Sequence, residues 1–294
     1  MRKFKLKGTV AQKLMEFENP DPRKPAVNPD GEPAGKTGGE ETEQTRLKMN
    51  AVWRTDTGKI RKSNQDTVIL AGGLFGIADG MGGHNGGETA SRGLRDGLIR
   101  ELQGKSASMD ALKEAVQKVN LELWQQQEAD ASLTGMGTTL TVVWMTEKQA
   151  LIAQVGDSRA YLIRDGEMKQ VTEDHSMVAD MVRRGILTED QAACHPMRNY
   201  ITRAIGTEET IEADGYTVDR KRGDRWLICS DGLYGMMPRN TLAGFASVPD
   251  PDEAANSLLN EAMVNGGRDN ISLVLIDDLG DAETEAAPDE EAAE

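Results

Sequence analysis

Residues 66–79 read Asp-Thr-Val-Ile-Leu-Ala-Gly-Gly-Leu-Phe-Gly-Ile-Ala-Asp. The apolar runs Thr67–Leu70 and Leu74–Ala78 flank Gly72-Gly73, the composition of a two-residue hairpin turn. Paired residues in a hairpin share a midpoint, and the midpoint of Gly72 and Gly73 is also that of Asp66 and Asp79. The two aspartates are therefore predicted to face each other across the ladder. Carboxylates that close repel at neutral pH, which is tolerable if one keeps a proton or if a cation lies between them.

Outward from this hairpin the same chemistry recurs. Further strands are predicted at Thr139–Trp144, Ala150–Val155, Ala160–Ile163, Glu212–Val218, Trp226–Cys229 and Ile271–Ile276, rich in Val, Ile, Leu and Thr. Asp79, Asp157 and Asp231 arrive as strands end, and Asp66 and Asp269 stand where strands begin. In an antiparallel sheet those positions share one edge, so all five aspartates are expected to converge. Asp also favours turns and caps, which leaves a structural role open for each one. With five acids at one edge a cation is the better solution, and ligation by oxygen alone suits Mg²⁺ or Mn²⁺, with Ca²⁺ as a further option. Asp79 leads into Gly80-Met-Gly-Gly-His-Asn-Gly-Gly87, five glycines in eight residues, where backbone can approach a ligand closely. Arg61 adds a charge suited to an anionic oxygen beside such a cation, or to an ordinary surface ion pair.

Helices are predicted where apolar residues recur every three or four positions: Ala90, Leu94, Leu98 and Leu102, then Leu112, Val116, Val119 and Leu123. A third follows Asp250, with Pro251 at its first position and Glu253 completing a capping box. Helices come in blocks rather than alternating with strands, which predicts an antiparallel α+β arrangement with helices packed on the sheet faces.

The chain has 294 residues, with 34 Lys and Arg against 49 Asp and Glu and a net charge of −15. Such acidity argues against a nucleic-acid binder and leaves cations and proteins as partners. No apolar stretch reaches the ~20 residues of a membrane span. Two cysteines, Cys194 and Cys229, are too few for a disulfide framework and predict a reducing cytoplasm. Residues 1–50 carry +2 and residues 281–294 carry −7, leaving −10 for the body. Residues 1–18, where Phe4, Leu6 and Val10 alternate with lysines, read as a short basic strand or arm. Residues 19–48 are Pro/Gly-rich and read as a linker, 49–280 as the folded domain, and 281–294 as a solvated acidic tail. Gly31–Thr37 is one residue short of a phosphate-binding P-loop and follows no strand, so it belongs to the linker.

Arg61-Lys-Ser-Asn-Gln-Asp66, Asp79-Gly-Met-Gly-Gly-His-Asn-Gly-Gly-Glu-Thr-Ala-Ser91, Gly137-Thr-Thr-Leu140, Gly156-Asp-Ser-Arg-Ala-Tyr161, Ser230-Asp-Gly-Leu233 and Gly267-Arg-Asp-Asn-Ile-Ser272 follow one another along the chain. In order and spacing they resemble the metal-dependent Ser/Thr protein phosphatases of the PPM, or type-2C, family, in its bacterial branch. The resemblance covers about 51–278. It implies a central β-sandwich of two antiparallel sheets flanked by helices, with two Mn²⁺ or Mg²⁺ ions at one end. By position, it implies that Asp79 bridges both ions, that the Gly80 carbonyl holds one, and that Asp231 and Asp269 hold the other. Asp66 would act through bound water, Asn270 would orient Asp269, and Arg61 would clamp the substrate phosphate. A water shared by the two ions would attack phosphorus in line, with no phosphoenzyme. Asp157, with Asp231, marks a possible weak third site.

Three departures from the family pattern bear on these expectations. Met81 stands where many relatives carry a His proposed as general acid, so protonation of the leaving group falls to bound water or another group, with His84 nearby assigned to loop structure. Gln65 stands where some members have Glu. Gly235 stands where the family has an Asp that helps hold the third ion. Residues 174–206 match the position of the family's mobile flap; there Met177, Met181 and Val182 are expected to pack beneath it, and Arg183, Arg184 and Arg198 to form a solvated face. The implied activity is hydrolysis of phospho-Ser and phospho-Thr in proteins, opposing a Ser/Thr kinase, by a monomer. The alternatives are a pseudophosphatase that binds phosphoproteins without turnover, and a small-molecule phosphomonoesterase.

Overall fold

The hairpin forms in the predicted register. Strands β3 (Asp66–Ala71) and β4 (Leu74–Met81) pair from Ala71↔Leu74 to Asp66↔Asp79. Gly72 and Gly73 have φ of 52° and 79°, the positive values that a type I′ turn needs at both central positions and that an L side chain adopts only with strain.

The computed structural model describes residues 9–18, 46–82 and 86–281. In this part of the chain the strands before the hairpin are β1 (Thr9–Glu18) and β2 (Arg46–Asp56). After it come helices α1 (Gly86–Leu102) and α2 (Met109–Ala129), then β5 (Gly137–Thr138), β6 (Leu140–Met145), β7 (Gln149–Val155), β8 (Arg159–Arg164) and β9 (Glu167–Gln170). Two short helices follow, α3 (Met177–Arg183) and α4 (Glu189–Ala193), then β10 (Asp214–Asp219) and β11 (Arg225–Cys229). The chain continues through α5 (Asp231–Tyr234), α6 (Arg239–Ala246), α7 (Pro251–Val264) and β12 (Ile271–Asp281). The strands form two sheets, in the orders β1-β2-β12-β11-β8-β9 and β10-β7-β6-β4-β3, with β5 paired to β4. Every strand pairing is antiparallel. The fold is the expected one, a sandwich of two antiparallel sheets flanked by helices.

Alternation along the strands explains their unbroken apolar runs. In β6, Val143 and Met145 enter the core between the sheets, while Leu140, Val142 and Trp144 pack under α1 and α2. In β11 and β12, Trp226, Ile228, Val274 and Ile276 face the partner sheet, whereas Leu227, Cys229, Leu273 and Leu275 meet Leu242, Leu258 and Leu259 of α6 and α7. Both faces of each sheet are covered, so each fully buried Leu, Ile or Val contributes about 1.5–3 kcal/mol, and the three apolar cores between the four layers fix where the loops at the sandwich end must lie.

Several elements differ from the reading of the sequence. Strand β2 begins at Arg46, inside the stretch read as linker, and β1 pairs along its whole length from Thr9↔Thr55 to Glu18↔Arg46. In β2 the apolar pattern is broken by Arg54, which is only 1% exposed and held by Asp252, Asn256 and the Trp53 carbonyl. Helix α7 starts at Pro251 with the Asp250 carboxylate accepting from the Glu253 N–H, one half of the predicted capping box. Of the flap residues expected to pack, Met177 is exposed and its neighbour Val178 is the buried one. Among the described residues no helix is long and apolar enough to cross a membrane. His84, the P-loop-like stretch, the first eight residues and the tail beyond Asp281 lie outside the described residues.

Candidate active site

The site is built where the two sheets end together. Asp66 starts β3, Asp79 lies near the end of β4, Asp231 follows β11 at the start of α5, Asp157 follows β7, and Asp269 precedes β12. The charge of each of the other four reaches Asp79, whose carboxyl is held well above the usual range, first by burial and then by Asp66, Asp231, Asp157 and Asp269. Burial likewise pushes Asp66 up to about 6. Burial, then Asp269 and Asp66, push Asp231 up to about 7. Asp157, buried and beside Asp231, is also held well above the usual range. Shifts of this kind mark a cluster of like charges with too little positive charge to balance it.

Local geometry explains how each acid is held. The Asp66 N–H donates to Asn64 Oδ1 at 3.1 Å, and the Ser230 hydroxyl donates to Asp66 Oδ2 at 2.9 Å. Asp66 Oδ1 is buried without a partner. The Asp79 N–H donates to the Thr139 hydroxyl at 3.0 Å, and the Asp79 carbonyl accepts from the Thr139 N–H and the Thr138 hydroxyl. A Cβ on Gly80 would stand 2.1 Å from the Gly87 carbonyl oxygen and 2.6 Å from that of Gln65, so only glycine lets the start of α1 come this close to β4. The Asp157 carbonyl accepts from the Tyr234 hydroxyl at 3.0 Å. Beside it, Arg159 forks onto Asp174 and lies 3.6 Å from the centre of the Tyr234 ring.

Arg61 meets the cluster through Asp269, its Nη2 2.7 Å from Oδ2, with about half of its own side chain exposed. That contact holds the guanidinium pKa above its ordinary value. Asn270 sets the loop that carries Arg61. Its Nδ2 donates to the Thr57 and Ser63 carbonyls at 3.0 and 2.9 Å, and its Oδ1 accepts from the Gln65 N–H at 2.9 Å. The expected contact to Asp269 is made by the Asn270 backbone N–H, 2.8 Å from Oδ1, rather than by its side chain.

Among the described residues no group of three carboxylate, imidazole or thiolate side chains closes into a ready-made cage for one ion. Hydrated divalent cations do not require one, because Mg²⁺ and ions like it keep several waters and take one or two carboxylates each. The donors present are all oxygen, one buried carboxylate oxygen is orphaned, and the acids are pushed upward by one another's charge. On those three counts the residues fit a pair of hydrated divalent cations.

The family model described as Protein phosphatase 2C matches residues 59–265. The chain belongs to the protein phosphatase 2C family. The serine/threonine phosphatase stp of Listeria innocua is 37% identical over 245 residues, covering 78% of this phosphatase 2C chain and 96% of its own. The serine/threonine protein phosphatase PstP of Mycobacterium tuberculosis is 37% identical over 227 residues, covering 76% and 44%. Its crystal structure superposes with a TM-score of 0.74 at 35% identity, covering 79% of this chain and 99% of that one. A structure of the PstP catalytic domain in complex with two manganese ions gives 0.72 at 34% identity, covering 78% and 97%.

In this phosphatase 2C chain the structure brings Asp66, Asp79, Asp157, Asp231, Asp269 and Arg61 to one end of the sandwich. Reading the sequence missed the groups that hold them there. In the sequence Ser230 and Thr139 stand only as members of the motifs Ser230–Leu233 and Gly137–Leu140, and Tyr234 stands beside Gly235 with no signal of its own. A hydroxyl carries no periodicity, so its role emerges only when the strands pair.

Proposed function

We propose that this chain hydrolyses phosphoserine and phosphothreonine in proteins with the help of two Mn²⁺ or Mg²⁺ ions. The observation that carries the reading is Asp79, whose carboxyl is crowded by four other aspartates gathered from the ends of both sheets. We assign Asp79, the Gly80 carbonyl, Asp231, Asp269 and, through water, Asp66 to hold the ions, with Asp157 and Asp231 as candidates for a weaker third. The chemistry such a pair supplies when bound is activation of water near neutral pH and neutralisation of phosphoryl charge.

The chain's own part is orientation. Arg61, half exposed and anchored on a loop that Asn270 pins, is placed to hold a phosphoryl oxygen beside Asp269. Neither Ser230 nor Cys229 serves as nucleophile: the Ser230 hydroxyl is committed to Asp66, and burial pushes the Cys229 thiol up to about 12. The listerial and mycobacterial relatives, named as serine/threonine phosphatases, support the substrate class. We further infer a cytoplasmic monomer that opposes a Ser/Thr kinase, a setting in which Cys194 and Cys229 stay as free thiols.

Phosphate release from pSer, pThr and pTyr peptides, with Mn²⁺, with Mg²⁺ and with chelator, tests the proposal. Release from pSer and pThr that falls to background on chelation is expected. No release with either metal would overturn it.

A further inference from the structure

Two segments beside the cluster carry four positive side chains, of which only Arg61 has an ion-pair partner among the described residues. Lys59, Arg61 and Lys62 lie on residues 57–65, Arg268 lies on 265–268 after α7, and neither stretch contains an acid. This is a local +4 in a body of −10. The loops are held together: the Lys59 N–H donates to the Gly267 carbonyl at 2.7 Å, and Asn270 bonds to the Thr57 and Ser63 carbonyls. Lys59, Lys62 and Arg268 are exposed, and none has an ion-pair partner among the described residues. The nearest acids in the chain are engaged elsewhere, Asp56 with the Gly58 N–H at 2.8 Å and Asp269 with Arg61. Ile60, on the first of these segments, and Val264, the last residue of α7, are 68% and 75% exposed.

Scattered lysines on an acidic protein usually pair or spread apart. Here three free cations are fixed on two joined segments, next to Arg61, which reaches the aspartate cluster through Asp269. We propose that this rim binds acidic residues flanking the phosphorylated side chain of the substrate, so that phosphosites set among Asp and Glu are preferred. The inference rests on the phosphatase reading and names the substrate class for that site. Rim ion pairs of this kind act mainly on encounter and on salt dependence. Each exposed pair is worth a few-fold at most, and three together give a preference of about tenfold.

The test compares kcat/KM for three pThr peptides of equal length, flanked on both sides by Glu, by Ala or by Lys, in the full chain and in its K59A/K62A/R268A variant. The expected wild-type order is Glu above Ala above Lys, spanning about tenfold, carried by KM and collapsing as NaCl is raised. In the variant the span shrinks to about twofold while hydrolysis of p-nitrophenyl phosphate stays level, since none of the three residues belongs to the proposed ion or phosphate contacts. Equal kcat/KM for the three peptides in the wild type, or a preference that the variant retains, overturns the proposal. Absence of p-nitrophenyl phosphate hydrolysis in the wild type would instead count against the phosphatase reading itself.

Discussion

Ser230 donates its hydroxyl hydrogen to Asp66 at 2.9 Å, tying the end of β11 in one sheet to the start of β3 in the other. The same hydroxyl accepts from the Ser272 N–H at 3.1 Å on β12. Replacing Ser230 by Ala therefore strands one buried donor, the Ser272 N–H, and removes a hydrogen bond to Asp66 Oδ2. Stability is expected to fall by about 1–3 kcal/mol, read from urea denaturation midpoints. A wild-type midpoint in S230A would show that the hydroxyl is dispensable.

Asp231 opens α5 just after β11 and Asp269 lies in the loop before β12, and neither fills the core. D231A and D269A are expected to lower Mn²⁺-dependent turnover by on the order of a hundredfold or more. Far-UV circular dichroism should be unchanged. Near-normal rates would remove these two residues from the proposed ion-binding set.

The hairpin and the gathering of five aspartates were legible because each step is local. Two glycines set a turn, symmetric counting set the register, and strand ends set the edge. What joins the acids to the scaffold was not legible, because those contacts are distant in the chain. Ser230 and Asp66 are 164 residues apart, and Asn270 and Ser63 are 207 apart. Strand β2 was hidden for a different reason: Arg54 interrupts its apolar pattern, and its burial makes sense only once Asp252 and Asn256 of α7 are in place.

Because Asn270 fixes the loop that carries Arg61, the two should act as a unit. N270A and R61A are each expected to reduce kcat/KM on a phosphopeptide by about tenfold or more. The double variant should be little worse than the poorer single one, since contacting residues are not additive. Fully multiplicative losses would separate the Asn270 role from Arg61.

Truncation separates the terminal segments from the core. Leu47 and Met49 on β2 are 2% and 0% exposed within the inter-sheet core. A chain that begins at Arg46 keeps both and is expected to hydrolyse a small phosphate ester at the full-length rate. One that begins at Ala51 loses both, at about 2–5 kcal/mol for each large side chain removed, and should melt well below the full chain. A soluble but inactive protein beginning at Arg46 would make the preceding residues part of the catalytic unit.

The carboxyl cluster predicts a dependence of stability on pH whose sign reverses the usual one. Asp66 and Asp231 titrate at about 6 and about 7 in the folded chain without metal, against about 3.9 when unfolded. Groups whose folded pKa is raised give stability that is complete below the unfolded value and is lost as pH climbs through the folded one. Chelated protein is therefore expected to lose stability between about pH 4 and 7, where ordinary paired carboxylates would gain it. Cations that replace the missing protons act in the opposite sense, because they bind the deprotonated acids. The rise in Tm caused by Mn²⁺ should thus be greater at pH 7.5 than at pH 5, by about 5 °C or more for a domain of this size. Scanning calorimetry at both pH values, with Mn²⁺ and with chelator, measures it. A Mn²⁺-induced shift equal at the two pH values would mean that these carboxyls are not where the ions bind.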